Sequence, residues 1–255
     1  LSHPDLDFAL SLADAADQIT LRWFRSADLG VEAKPDDTPV SVADRESERA
    51  IRALIEQNRP EHAVLGEEYG LTGDSAWRWV IDPIDGTKNY VRGVPVFATL
   101  IALQHNGVGE VGVVSAPALG MRWWGVRNVG AWRDGVPIHV SDVATIGDAF
   151  LSSDSYNTFG AHDVARADGF ATLIRRCDRT RGFGDFWSHM LVAEGAIDIA
   201  VEPEVALWDL AASAVIVAAA GGRFTDLDGV DGPDGDSVLA TNGLLHDAVL
   251  ATLNA

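Results

Sequence analysis

The chain has 255 residues, 47% hydrophobic and 22% charged, a composition that excludes a disordered or fibrous protein and fits a folded globular one. Its 38 acidic residues against 19 Lys plus Arg give a formal net charge of -19, a surface that repels nucleic acid and anionic lipid. A single cysteine, Cys177, excludes an internal disulfide framework and a four-cysteine metal site.

In chain order, Leu6, Ala9, Leu10, Ala13, Ala16, Ile19 and Trp23 recur at helical spacing and predict an amphipathic helix from Asp5 to Phe24. Val31 to Lys34 reads as a short strand and Pro35 to Pro39 as a loop. Ser41 followed by Asp44 resembles a capping box, opening a helix that keeps Ile51, Leu54 and Ile55 on one face and closes at Pro60. Trp77 to Ile81 is a predicted strand, and Asp82-Pro83-Ile84-Asp85-Gly86-Thr87 is a predicted sharp turn. Val96 to Leu103 and Val108 to Val114 should pair through the Asn106-Gly107 hairpin. Arg122 to Val126 and Val129 to Trp132 continue the meander, with a turn at Asp134-Gly135. The tryptophans Trp77, Trp79, Trp123, Trp124 and Trp132 fall on these strands and suit core or interface packing.

After Val140 the texture changes. Ala149 to Ser152, Ile197 to Ala200 and Val238 to Ala240 read as strands. Asp163 to Arg176, Phe186 to Glu194, Leu207 to Ala220 and a last segment from His246 read as helices, with Gly195 and Gly221-Gly222 as stops. The division implied is an N-terminal α+β part, 1–145, with an antiparallel or mixed sheet, and a C-terminal α/β part, 146–255. The site is expected between them. The start, Leu1 to Ala13, carries Asp5 and Asp7 and no basic n-region, so the expected location is the cytoplasm. The longest apolar run, Ala211 to Ala220, is too short for a membrane span.

Three acidic sites stand out: Glu67-Glu68 after Gly66, Asp82 and Asp85 after a strand, and Asp209 at the start of an apolar helix. Taken singly they read equally as turn acids and a helix-cap acid. Together they form an oxygen-only donor set. Asp82, Asp85 and the Ile84 carbonyl converge from one turn, and Glu67 and Asp209 would complete two neighbouring sites. Such ligands suit Mg²⁺, with Mn²⁺ as an alternative, over zinc. Without cations, converging carboxylates would repel and their pKa values would rise. Gly86 lets an anion approach the backbone, and a helix starting there would offer its N-terminus. Lys88 and Arg92 add positive potential or are surface residues. Two cations about 4 Å apart suit in-line hydrolysis of a phosphate monoester. Glu67 and Thr87 are the pair expected to hold the attacking water. An aspartyl phosphate on Asp82 or Asp85 is the competing route, in conflict with both serving as ligands.

Gly66-Glu67-Glu68, Asp82-Pro83-Ile84-Asp85-Gly86-Thr87 and Trp208-Asp209-Leu210-Ala211-Ala212 resemble the three signatures of the inositol monophosphatase family, and the segment Lys34-Pro35 through Ala43-Asp44 is similar to its metal-binding loop. The resemblance covers essentially the whole chain. It implies a layered αβαβα sandwich, a homodimer and two or three Mg²⁺ per site. One cation would sit on Glu67, Asp82 and the Ile84 carbonyl. A second would sit on Asp82, Asp85 and Asp209, and a weaker third on Glu67 with Asp44 through water. Phosphate would meet the Gly86 and Thr87 amides. Within the family the chain most resembles the actinobacterial histidinol-phosphate phosphatases, through Lys34-Pro35-Asp36, Asn89 to Val96 and Gly184-Asp185-Phe186. That resemblance implies histidinol phosphate as substrate, recognised by Asp185 and Glu202 with Arg181 and Asn242 as further candidates. Inositol 1-phosphate or another sugar phosphate is the alternative, and Asp185 also reads as a helix-capping acid. His189 either approaches a substrate from a second subunit or is a satisfied structural histidine, the latter being favoured. Cys177, in a basic stretch, is expected to be structural.

Overall fold

The structure is a computed structural model that describes residues 4–33, 39–154 and 157–255. The Lys34-Pro35-Asp36 motif, and with it residues 34–38 of the expected metal-binding loop, lies outside the described residues.

The N-terminal half runs α1 (Pro4–Trp23), β1 (Glu32–Ala33), β2 (Pro39–Val40), α2 (Val42–Asn58), β3 (Ala63–Gly66), β4 (Gly70–Thr72), β5 (Trp77–Asp85) and α3 (Thr87–Val91). The meander β6 (Ala98–His105), β7 (Val108–Ala116), β8 (Met121–Val126), β9 (Gly130–Arg133) and β10 (Val136–Ile138) follows. Strands β3 to β10 form one eight-stranded sheet in the order β10-β9-β8-β7-β6-β5-β3-β4. It is mixed because β3 runs parallel to β5 while the meander is antiparallel.

The C-terminal half runs β11 (Phe150–Ser152), α4 (Thr158–His162), α5 (Ala167–Arg176), β12 (Arg179–Arg181), α6 (Asp185–Ala193), β13 (Ile199–Glu202), α7 (Leu207–Ala219), β14 (Arg223–Thr225), β15 (Val238–Thr241) and α8 (His246–Leu253). Its five strands pair in the order β12-β11-β13-β15-β14.

Side-chain alternation stacks these elements. On β6, Ile101 and Leu103 pack with Leu6, Leu12, Ile51 and Ile55 of α1 and α2, whereas Leu100 and Ala102 face Met190, Leu210 and Ile216 of α6 and α7. On β15, Ala240 joins α6 and α7 while Leu239 joins Leu173 and Val249 of α5 and α8. The result is the expected αβαβα sandwich, with α6 and α7 as its central layer.

Local sequence chemistry accounts for several element ends. Ser41 accepts from the Ala43 amide and Asp44 Oδ2 accepts from the Ser41 amide, completing the capping box of α2. Asn106 (φ 51°) and Gly107 (φ 81°) make the β6–β7 hairpin. Two expectations shift. The buried stripe of α1 runs through Leu12 rather than Leu10. The segment expected to turn at Asp82–Asp85 is the bulged end of β5.

Candidate active site

The bulge builds the centre of the site. Asp82 pairs with Leu100 and Asp85 with Ala98, so three steps along β5 oppose two along β6. In a regular strand, residues three apart point to opposite faces, and the extra residue removes that opposition. Pro83 suits a bulge because it has no amide to lose. Its carbonyl accepts from the Thr99 hydroxyl at 2.8 Å, and the Ile84 amide donates to Asp82 Oδ1 at 2.9 Å. Carboxylate oxygens of Asp82, Asp85 and Asp209 lie within 4.8 Å of one another.

Asp209 reaches this point from the first turn of α7, where its Oδ2 accepts from the Ala206 amide at 2.8 Å. Helix α7 lies tight against the large sheet because that sheet presents glycines to it. A Cβ on Gly112 would lie 2.5 Å from the Ala212 carbonyl oxygen, and one on Gly125 would lie 2.9 Å from Ile216 Cα. Asp85 is tied to the other central helix, its Oδ2 accepting from the Phe186 amide at 2.7 Å.

Glu67 follows β3, and its amide donates to the Ile81 carbonyl at 3.2 Å. Its charge raises the pKa of Asp82, Asp44 and Asp209, which places it with the cluster. Asp44 is fully buried, and the Thr87 hydroxyl stands 3.5 Å from its Oδ1. The better acceptor for that hydroxyl is the Ile84 carbonyl at 2.9 Å. Gly86 caps α3 at φ 79°, and a Cβ there would lie 3.1 Å from the Val96 carbonyl oxygen. Only glycine suits both constraints.

Burial, and then the charges of neighbouring carboxylates (Glu67 first for Asp82, Asp185 first for Asp85), pushes Asp82 and Asp85 well above the usual carboxylate range. Burial raises Asp209 to about 7 and Asp44 to about 6, against hydrogen bonds from Ala206 and from Ser41 respectively. These are crowded acids that lack positive charge.

A second acidic wall adjoins the first. Asp185, at φ 49°, opens α6, and its Oδ2 accepts from Asn89 at 3.3 Å. Burial and the charge of Asp154 raise it to about 6, and Lys88 opposes the rise. Glu202 ends β13, buried and pushed well up by desolvation and by the charges of Asp185, Asp154 and Asp209. Its Oε1 is buried with no hydrogen-bond partner among the described residues.

Asp154 was not anticipated. Because β11 runs parallel to β13 with Ser152 opposite Ala200, Asp154 and Glu202 each stand two residues on. They lie at the carboxyl ends of neighbouring strands, where open α/β sheets bind ligands. An acid at the matching end of two predicted strands was the available signal.

Other expected residues lie elsewhere. Arg181 is on the edge strand β12, exposed, with its guanidinium donating to the Thr180 carbonyl and lying 6.0 Å over the Phe150 ring. No contact with the carboxylates is found among the described residues. Asn242 is occupied structurally by Ser141, Val143 and Leu245. His189 is buried against Phe224, and burial lowers it to about 4. Contrary to expectation it is not satisfied, because neither ring nitrogen has a partner among the described residues. Burial raises the Cys177 thiol to about 11 despite Arg176, as suits a structural cysteine. A cavity of about 550 Å³ beside α7, lined among others by Arg127, Val215 and Phe224, includes none of these carboxylates.

Comparison with known proteins gives the family. The family model described as inositol monophosphatase family matches residues 2–255. The histidinol-phosphatase of Streptomyces coelicolor is 52% identical, the match covering 98% of this chain and 97% of that protein. The histidinol-phosphatase of Mycobacterium tuberculosis is also 52% identical, with 100% of both chains covered. Among solved structures, an IMPase of Thermotoga maritima superposes with a TM-score of 0.88 at 32% identity, covering 99% of this chain and 97% of that one. On its three acidic signatures, its layered fold and these matches, the chain belongs to the inositol monophosphatase family.

Proposed function

We propose that the protein is a metal-dependent phosphomonoesterase that hydrolyses histidinol phosphate to histidinol and phosphate. The carrying observation is the second acidic wall, with Asp185, Glu202 and Asp154 beside the first cluster and Glu202 Oε1 unpartnered. Histidinol presents an ammonium and an imidazole, groups that neutralise and hydrogen-bond buried carboxylates. The hydroxyls of inositol 1-phosphate donate hydrogen bonds but bring no positive charge. The names of the two relatives at 52% identity support the same reading.

The donor set fits divalent cations: oxygen only, buried at Asp82 and Asp85 and half-buried at Asp209, and made of carboxylates whose charges repel one another. Glu67, Asp82, Asp85, Asp209 and the Ile84 carbonyl would hold Mg²⁺, with Asp44 reaching a further ion through water. Bound there, the cations would supply the positive charge that this acidic chain lacks and would acidify a water.

The chain's own groups do the rest. The Thr87 hydroxyl gives its hydrogen to the Ile84 carbonyl, which leaves its lone pairs to accept from the attacking water. Glu67 orients the same water. The first amides of α3, at Gly86 and Thr87, receive phosphate oxygens. Asp185 and Glu202, with the exposed Asp154 nearby, hold the cationic end and so fix the ester for in-line attack. A homodimer and a cytoplasmic location belong to this proposal as well, the first checked by mass in solution.

Steady-state rates with Mg²⁺ test the substrate. A kcat/KM for histidinol phosphate about a hundredfold or more above that for inositol 1-phosphate is expected, the scale at which unpaired buried polar groups reject an analogue. Comparable or reversed values would replace this reading with the inositol phosphate one.

A further inference from the structure

Helix α2 carries a second buried carboxylate one turn after Asp44. Glu48 is 0% exposed, and the hydrogen bonds it accepts come from the turn after Glu67 and from Arg52. Its Oε2 accepts from the Glu68 amide at 2.7 Å, and its Oε1 from the Tyr69 amide at 3.3 Å and from Arg52 Nε at 2.7 Å. Arg52 also binds the Gly70 carbonyl and the Thr72 hydroxyl. The pair therefore grips both ends of the turn that begins at Glu67.

Gly66 makes room for it. A Cβ on Gly66 would lie 2.0 Å from Glu48 Oε1 and 2.4 Å from its Cδ. Gly66 is a strand residue paired regularly with Ile81 and Gly70, so turn geometry does not require glycine there. The space taken by the Glu48 carboxylate does.

We propose that Glu48 is a positioning residue for Glu67, acting through the backbone, and that the glycine of Gly66-Glu67-Glu68 exists to admit it. Glu67 is held on one side by its own amide on Ile81, next to Asp82. On the other side the next two amides are held by Glu48. This fixes where the Glu67 carboxylate stands relative to Asp82. Because Asp44 and Glu48 are four residues apart on one helix face, the same rigid element seats both Glu67 and the acid beside Thr87. An ion pair kept only for stability would need neither the two amides nor a vacant Cβ position at Gly66.

The inference rests on the proposed metal role of Glu67, and the test separates the two. Mn²⁺ binding to the purified protein, read from the electron paramagnetic resonance of free Mn²⁺, is measured for wild type, Glu67→Gln, Glu48→Gln and Gly66→Ala, with melting of each metal-free protein. Glu48→Gln keeps the shape but has one oxygen, so it cannot accept on both sides. Gly66→Ala keeps the charge but displaces it. Both are expected to weaken Mn²⁺ binding by about tenfold to a hundredfold, the usual cost of losing a group that orients a metal ligand.

A lower melting temperature with unchanged Mn²⁺ affinity would make Glu48 merely structural and overturn the proposal. Weakening in Glu67→Gln alone would do the same. No weakening in Glu67→Gln would instead remove the metal role of Glu67, and the positioning role with it. Should neither Glu48 nor Gly66 variant fold, hydrogen exchange in the wild-type protein decides. The Glu68 and Tyr69 amides are expected to be protected, and exchange at the rate of an open loop overturns the inference.

Discussion

At the scale of single residues, the working groups are carboxylates held where they would rather not be charged. Asp209 shows the consequence. Burial raises it from an ordinary 3.8 to about 7, with Glu67 and Asp185 adding to the rise. A carboxyl that binds its proton more tightly when folded stabilises the fold fully below the unfolded pKa, and that contribution is lost as pH rises through the folded one. In chelator, the melting temperature should therefore fall between about pH 4 and pH 7, with Asp185 and Asp44, both near 6, contributing in the same window. Asp209→Asn keeps an acceptor for the Ala206 amide and removes the charge, so its melting curve should depend less on pH and lie above wild type at pH 8. Its turnover with Mg²⁺ should drop by at least about a hundredfold, the scale of one lost electrostatic stabiliser. A variant with wild-type pH dependence, or with wild-type turnover, would place Asp209 outside the cluster's chemistry.

At the scale of elements, positions are set by what is missing from a surface. Helix α7 can bring Asp209 to the bulge because Gly109, Gly112 and Gly125 let it lie close on β7 and β8. Gly169 plays the same steric part between α5 and α8, where a Cβ would lie 2.3 Å from the Leu253 carbonyl oxygen. Gly112→Ala and Gly169→Ala should each destabilise by about 1–3 kcal/mol, the cost of overpacking against backbone. Only Gly112→Ala should also weaken the apparent affinity for Mg²⁺ in an activation curve, because α7 carries a cluster carboxylate whereas α5 and α8 carry none. Equal effects on Mg²⁺ would argue that α7 is not the lever. These contacts explain what could be read in advance. The Ser41–Asp44 box and the Asn106-Gly107 hairpin are local chemistry, and the acidic signatures are contiguous strings. Strands β10, β12 and β14, three residues each, are too short to show a period and exist through their partners. The Asp82–Asp85 bulge resembles a turn in sequence because Pro and Gly signal turns, whereas the pairing with Leu100 and Ala98 is remote. In the sequence Glu48 is one more polar residue on an amphipathic helix, and what distinguishes it, the Glu68 and Tyr69 amides and the space at Gly66, is tertiary.

At the scale of the whole molecule, the site and the main core share the same seam. One cluster of buried side chains joins Val80, Leu100, Val114 and Trp123 of the large sheet to Met190, Leu210, Ile216 and Ala240 of the C-terminal half. The carboxylates cross that seam too, Asp82 and Asp85 from β5 and Asp209 from α7. Pulling the halves apart would uncover the α6–α7 layer on its sheet-facing side and leave each set of acids without the other. The two parts distinguished by sequence texture should therefore unfold together. Cations that bind only the joined form add stability by mass action, about 1.4 kcal/mol for each tenfold rise in free Mg²⁺ above its dissociation constant. Calorimetry should show a single transition in chelator and a single, higher one in Mg²⁺, with the midpoint climbing steadily with concentration. Because the chain carries -19 overall, added monovalent salt should weaken the Mg²⁺-dependent rise by screening the field that gathers the cation. Two transitions, of which only one moves with Mg²⁺, would mean that the cations bind within one half and that the seam is not what they stabilise.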